Sequence, residues 1–234
     1  MNQVEISIII PTFNEGDNIG QLLIDLNQGL DRYGVTHEII VVDDNSPDDT
    51  VMIVSRQADR DRRIKLVSRR GERGIGSAIY DGLKRSSGKI IITMDADFSH
   101  PPESVIKLVE SMKNYDLSVG SRYVKGGKMN GPFTRRVLSR SLNKILVLIL
   151  GLHVHDCTGG FLALGRKVLN SIDKIESRSG DFSFEIIYKA KIAGFKITEI
   201  PFEYKWRTKG KTKTKVFKFG VTYLLSAINL KLSS

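Results

Sequence analysis

Ile90-Ile91-Ile92-Thr93-Met94-Asp95-Ala96-Asp97-Phe98-Ser99-His100-Pro101-Pro102-Glu103 decides the reading of this chain. β-favouring residues run straight into two aspartates separated only by Ala96. A buried strand that ends in Asp-x-Asp delivers carboxylates to the C-terminal edge of a sheet, where α/β proteins bind their ligands. Two carboxylates there suit a hard divalent cation, because Mg²⁺ typically takes one or two of them and fills its shell with substrate phosphate oxygens. Taken alone, the pair reads more readily as a helix cap and a solvated loop residue. The other strand ends tip the balance.

Working outward, apolar strands alternate with helical segments over the first 120 residues, the pattern of a mostly parallel sheet. Strands are expected at Glu5–Ile10, Glu38–Val42, Ile64–Val67, Lys89–Thr93 and Leu117–Gly120, with helices at about Asp17–Leu30, Asp48–Asp59, Gly76–Ser86 and Glu103–Lys113. Pro11, Pro47 and Pro101-Pro102 fall where strands stop or helices start. In a parallel sheet the ends at Pro11-Thr12-Phe13-Asn14-Glu15, Asp43-Asp44-Asn45-Ser46 and Asp95-Ala96-Asp97 open on one edge. There Asp43 or Asp44 could accept hydrogen bonds from a ribose or base, with Phe13 as an aromatic wall, while Asp48 and Ser46 are expected as helix caps.

Residues 122–133 are glycine-rich and basic and read as a mobile loop. Helices follow at about 134–150 and 216–232, each mixing long aliphatics with Lys and Arg, as suits an amphipathic helix in a membrane interface. The expected organisation is one catalytic domain over 1–215, containing the 134–150 helix, and a C-terminal amphipathic, membrane-associated helix over 216–234.

Composition narrows the classes. At 26% charged and 41% hydrophobic residues the chain is an ordinary globular one, and no apolar run reaches the roughly 18 residues of a spanning helix. Cys157 is the single cysteine and the four histidines are scattered, so neither a disulfide framework, a zinc site nor a His-centred triad has support. The N-terminus lacks the basic and apolar regions of a secretion signal. The net charge of +10 is unevenly spread: 117–155 and 204–234 contain no acid and hold fifteen of the 36 basic residues. The positive charge lies in two stretches, which points to an anionic partner: lipid headgroups, phosphates or nucleic acid. Nucleic acid is disfavoured, because no RNP, zinc-finger or helix-turn-helix pattern occurs and the basic runs are interleaved with aliphatics. Gly74-Ile75-Gly76 after a strand suggests a dinucleotide fingerprint, but the third glycine position is Ile79, so the fingerprint is incomplete and that reading is disfavoured.

Six segments in order carry a resemblance: Pro-Thr-Phe-Asn-Glu (11–15), Val-Val-Asp-Asp-Asn-Ser-Pro-Asp-Asp-Thr (41–50), Met-Asp-Ala-Asp-Phe-Ser-His-Pro-Pro-Glu (94–103), Gly-Ser-Arg-Tyr-Val-Lys-Gly-Gly (120–127), Asp-Cys-Thr-Gly-Gly-Phe (156–161) and Arg-Thr-Lys-Gly-Lys-Thr-Lys (207–213). Together they resemble family 2 glycosyltransferases of the GT-A fold, and within these the dolichyl-phosphate mannosyltransferase group of polyprenyl-phosphate glycosyltransferases. The resemblance implies an α/β, GT-A type fold with a mostly parallel nucleotide-binding sheet. It implies inverting transfer of a sugar, foremost mannose from GDP-mannose, to dolichyl or polyprenyl phosphate. The alternative within the family is glucose or another sugar from a UDP-sugar.

By the same resemblance, Asp95, Asp97 and Arg122 carry catalysis. Pro11, Phe13, Glu15, Asp43, Asp44, Asp95, Ala96 and Asp97 surround the nucleotide sugar. Arg122, Arg135, Ser139, Arg207 and Lys213 gather the acceptor phosphate, and Arg122 is suited to it because a guanidinium can grip phosphate bidentately. Asp97 and Asp95 hold Mg²⁺ or Mn²⁺. Ser99 stands where many members place a further metal-binding Gln, and a hydroxyl is a weaker ligand. Thr212 replaces the commoner Ser. The expected partners are the nucleotide sugar, the lipid phosphate, a membrane surface and a membrane-embedded subunit, with a peripheral location at the cytoplasmic face of a membrane.

Overall fold

The computed structural model describes residues 4–71, 73–172, 174–177, 179–206 and 216–233. The first half alternates strand and helix: β1 (Ile6–Thr12), α1 (Gly16–Tyr33), β2 (His37–Asp43), α2 (Thr50–Arg60), β3 (Ile64–Ser68), α3 (Ile75–Arg85), β4 (Ile90–Thr93), α4 (Glu103–Ser111) and β5 (Leu117–Ser121). The second half adds β6 (Lys128–Met129), α5 (Phe133–Leu150), β7 (Leu162–Gly165), α6 (Arg166–Ser171), α7 (Phe182–Ile192), β8 (Ile197–Pro201), β9 (Glu203–Tyr204) and α8 (Val216–Leu232).

Among the described residues the main sheet has seven strands in the order β3-β2-β1-β4-β7-β5-β8. β1 pairs in parallel with β2 and β4, β2 with β3 and β5 with β8, whereas β7 runs antiparallel between β4 and β5. The chain leaves β1 toward β2 on one side and later returns to β4 on the other. That reversal makes the crevice at the C-terminal ends of β1 and β4 a topological switch point, the usual ligand position in such sheets.

Alternation along each buried strand feeds two core layers. Ile8, Ile10, Ile39, Val41 and Ile92 pack with the apolar stripes of α1, α2 and α4 on one face. Ile9, Ile40, Val42 and Ile91 pack on the other face with residues of α3, α5, α7 and α8. α7 is apolar nearly all round and is sunk in the interior, with Phe184, Ile186, Ile187 and Ala190 sealed from solvent.

Two features differ from the sequence reading. The 122–133 segment carries β6, which pairs with β9. A two-residue bridge has no periodicity by which to announce itself. β7, placed antiparallel inside the sheet, was not expected. α8 packs on α5 and α7: Ala227 is fully buried in the core and Ser226 Oγ donates to Asp181 Oδ2 at 2.7 Å. Among the described residues no helix is long and apolar enough to cross a membrane.

At the sheet edge away from the switch point, Glu38 ties three strands together. Its Oε1 accepts from Ser7 Oγ (2.6 Å), Ser87 N (2.6 Å) and Ser87 Oγ (2.8 Å), and its Oε2 pairs with Lys65 of β3. Burial opposes its charge, but Lys65 and the Ser7 and Ser87 donors outweigh burial and hold its pKa down to about 2, against 4.5 for a free glutamate. A depressed folded-state pKa gives stability that is complete above the unfolded value and is lost as pH falls through the window from 4.5 to about 2. Acidification across that window is therefore expected to remove about 2–3 kcal/mol through Glu38. Glu38→Gln should flatten the pH dependence there, as measured by urea unfolding at pH 5 and pH 2.5. An unchanged slope would contradict this account.

Candidate active site

The three turns at the switch point share a backbone peculiarity. Among the described residues, the non-glycine residues with positive φ are Asn14 (55°), Asn45 (59°) and Phe98 (60°), one in each turn. Asn tolerates the left-handed region because its side chain can bond locally, whereas a phenylalanine there is costly and is kept only where the surroundings over-determine it. Phe98 lets the chain double back so that Ser99 N donates to Asp97 Oδ1 at 3.0 Å.

The first two turns are bolted to each other. Asn14 N donates to Ser46 Oγ (2.9 Å), Glu15 N to Thr50 Oγ1 (2.9 Å) and Gly16 N to Asp48 Oδ2 (3.1 Å). Ser46 and Asp48 thus brace one turn against the other, and Asp48 Oδ1 also accepts Thr50 N at 3.1 Å, so it satisfies the first amide of α2 as expected of a helix cap, whereas Asp49 at the N-cap position makes no side-chain cap bond. Asp43 is fully buried, accepting from Thr12 Oγ1 (3.0 Å) and Ser46 N (2.8 Å). It braces the second turn behind Asp44. Asp44 Oδ2 accepts from Gly74 N at 2.8 Å and Oδ1 lies 3.3 Å from Arg69 Nε. Burial, opposed by Gly74 and Arg69, raises the Asp44 pKa above the usual aspartate value.

These turns open into one cavity of about 470 Å³. Of the residues singled out by sequence, Pro11, Phe13, Glu15, Asp44, Asp95, Ala96, Asp97, Arg122, Arg135 and Ser139 line it. Asp43 and Ser99 are not among its lining residues. Ser99 is fully buried, and its Oγ has no hydrogen-bond partner. The expectation of Ser99 as a metal ligand is corrected on that ground, since a hydroxyl sealed behind the turn does not reach a cavity ion. Arg207 and Lys213, with Thr212, lie outside the described residues. Among the described residues no three His, Cys, Asp or Glu side chains cluster as a closed metal site. Asp95 and Asp97 both lie on the cavity wall, where their carboxylates could hold a cation that shares its shell with ligand phosphates.

The opposite wall comes from the second half of the chain. Arg122 is buried at the end of β5, and its Nε and Nη2 each lie 2.7 Å from the two Asp156 oxygens; Nη2 also reaches Thr158 Oγ1 at 3.1 Å. Burial disfavours its charge, but Asp156 more than compensates and raises its pKa. Asp156 takes the Nε/Nη2 edge of the guanidinium, so the bidentate phosphate grip expected of Arg122 would have to come from its Nη1 side. Asn143 of α5 fixes the same loop, donating to Thr158 Oγ1 (2.8 Å) and accepting from Cys157 N (2.8 Å). Ser139 accepts from Tyr123 Oη at 2.7 Å, and the Arg135 guanidinium sits 4.9 Å from the Trp206 ring centre. Leu138, Leu142, Trp206 and Tyr223 make this wall largely apolar.

Sequence reasoning missed Asp156, Asn143, Tyr223 and His100. Asp156 stands at the head of the quoted 156–161 segment and His100 in the decisive stretch itself, so position was the available signal. His100 is fully buried, accepts from Asp95 N at Nδ1 (2.9 Å), and stacks on Phe161 with ring centres 4.8 Å apart. Burial pushes its pKa down to about 4, so the ring is neutral near pH 7.

A mostly parallel sheet with helices on both faces, and carboxylate-bearing turns facing a basic, partly apolar wall across one cavity, is the GT-A architecture of glycosyltransferases. The chain belongs to glycosyl transferase family 2, whose model matches residues 7–173. It is 37% identical over 218 residues to a dolichol-phosphate mannosyltransferase of Pyrococcus furiosus, covering 91% of this chain and 60% of that protein. The chain therefore spans 60% of the length of that relative. It is 34% identical over 214 residues to a polyprenol monophosphomannose synthase of Mycolicibacterium smegmatis, covering 88% of this chain and 79% of the relative. Its fold resembles crystal structures of glucosyl-3-phosphoglycerate synthase from Mycobacterium tuberculosis. One, in complex with Mn²⁺, UDP and glucosyl-3-phosphoglycerate, superposes with a TM-score of 0.74 at 20% identity, over 97% of this chain and 81% of that one. Another holds Mg²⁺ and UDP.

Proposed function

We propose that the chain transfers mannose from GDP-mannose to dolichyl phosphate or a related polyprenyl phosphate, inverting the anomeric centre to give a β-linked lipid-phosphate sugar. The observation that carries this reading is the single cavity lined both by the Asp95/Asp97 turn and by the Arg135, Ser139 and Leu138 side of α5. The two relatives named above, and the metal and nucleotide held by the structural neighbours, support it.

In this mechanism Phe13, Glu15 and Asp44 hold the nucleoside end of the donor. Asp95 and Asp97 would hold Mg²⁺ or Mn²⁺ against the diphosphate. When bound, the cation supplies electrostatic stabilisation of the departing diphosphate. The acceptor phosphate, with a second pKa of about 6, is already largely anionic at neutral pH and needs no strong general base. The remaining task is to bring two anions together, which Arg135 and the basic 207–213 segment assist by charge. The test is transfer of labelled mannose from GDP-mannose to dolichyl phosphate with Mg²⁺ or Mn²⁺, scored by organic-phase extraction. Lipid product from a UDP-sugar alone would replace the donor. Absence of lipid product with every donor would overturn the acceptor.

A peripheral position at the cytoplasmic face of a membrane belongs to the same reading. α5 leaves Phe133 and Leu148 exposed beside Arg136, Arg140 and Lys144, and α8 leaves Val221, Leu225 and Leu232 exposed. Such helices bind an anionic surface by apolar insertion and charge. Leu148→Glu, at a side chain 80% exposed, is expected to weaken binding to anionic vesicles roughly 10-fold or more, from the 1.5–3 kcal/mol of a buried leucine, without lowering Tm. Sedimentation with vesicles checks it, and binding to DNA at moderate salt in place of vesicles would contradict it.

A further inference from the structure

We infer that His100 is a positioning residue that sets the Asp95-Ala96-Asp97 turn through the Asp95 backbone, so that metal-nucleotide binding depends on its Nδ1 acceptor; this rests on the metal-nucleotide role of that turn proposed above. The imidazole closes a ring of chain from Asp95 to His100. Asp95 N donates to Nδ1 at 2.9 Å, while Ser99 N donates to Asp97 Oδ1 at 3.0 Å inside the same turn. Because Nδ1 accepts, the proton of the neutral ring is on Nε2. Nε2 lies 4.0 Å from Asp95 Oδ2, so the ring faces that carboxylate as well as the Asp95 backbone.

The ring is itself anchored from outside the turn. It stacks on Phe161 at an interplanar angle of 14° and meets the edges of Phe202 and Tyr204 at ring-centre distances of 5.6 and 6.5 Å. Phe161 follows the Gly159-Gly160 segment of the cavity wall, and Tyr204 lines the cavity beside Arg122, whose guanidinium carbon is 5.7 Å from the Tyr204 ring centre. One buried side chain thus joins the carboxylate turn to the wall facing it. Partners that orient metal ligands typically matter 10–100-fold for metal affinity.

Three variants separate the acceptor from the ring. His100→Asn places an oxygen near the Nδ1 position and removes the stack. His100→Phe keeps a stacking ring and strands the Asp95 N–H. His100→Gln is polar with its acceptor one bond too far out. The probe is Mn²⁺ with a nucleoside diphosphate, measured by calorimetry and by the ligand-induced rise in Tm. GDP is tried first and UDP second, and whichever the wild type binds is carried through the variants. Preference for UDP then refutes the donor reading while leaving this inference under test. Expected are affinities within about 3-fold of wild type for His100→Asn and at least 10-fold weaker for His100→Phe and His100→Gln, with binding in EDTA unchanged. In turnover the loss should fall on donor and metal KM before kcat, with excess metal restoring part of it. Equal losses in all three variants, or His100→Phe outperforming His100→Asn, would overturn the inference. If His100→Phe does not fold, the Asn/Gln contrast alone decides it.

Discussion

Asp97→Ala is expected to lower sugar transfer by about 10²–10³-fold, the usual effect of deleting one preorganised electrostatic group at the leaving charge. Asp97 lines the cavity on the turn after β4 and also accepts the Ser99 N–H at 3.0 Å. Alanine would remove both a carboxylate and a turn-shaping acceptor, so it does not by itself separate charge from conformation. Asp97→Asn does: it retains an oxygen for Ser99 N and removes the negative charge. If the residue acts by holding a cation, Asn loses nearly as much as Ala, and metal-dependent nucleotide binding disappears in both. Near wild-type activity in Asp97→Asn would mean that the residue only shapes the turn. Asp95, whose side chain is 37% exposed, should follow the same pattern with a smaller loss.

Asp156→Ala is expected to destabilise the protein by about 3–5 kcal/mol, because it leaves the buried Arg122 guanidinium without its counter-charge. Asp156 is itself fully buried and also accepts Arg122 N at 3.0 Å, so the loop loses a backbone partner too. For a domain of this size a loss of 1 kcal/mol shifts Tm by roughly 2–4 °C. The drop in Tm should therefore be about 6–20 °C. Buried pairs often cost little when both charges go together, so Arg122→Met in the Asp156→Ala background should recover part of the loss. A double-mutant cycle by urea unfolding measures the coupling, and additive losses would show that the pair does not hold the loop. The Asp156 carboxylate offsets the Arg122 charge where it stands.

The turns, and the side of the sheet on which they open, were legible in the chain. Strands rich in Ile and Val followed by Asp, Asn and Pro declare a parallel sheet and its C-terminal edge, because burial on both faces and turn chemistry are local properties. Phe13, Asp44, Asp95 and Asp97 are legible that way, the resemblance adds Pro11, Glu15 and Ala96, and all seven share one cavity. The family resemblance brought Arg122, Arg135 and Ser139 to the same place. What residue order does not carry is who sits opposite whom. Asp156 is 34 residues from Arg122 and meets it only because β7 turns antiparallel between β4 and β5, which carries the 156–161 loop to the end of β5. The turn of Ser99 away from the cavity depends on Phe98 adopting φ 60°, a conformation its side chain does not favour and only packing enforces. Local preference and pattern are read along the chain; pairing of buried charges and the aim of a side chain are settled by long-range packing, where desolvation makes every unpaired group costly.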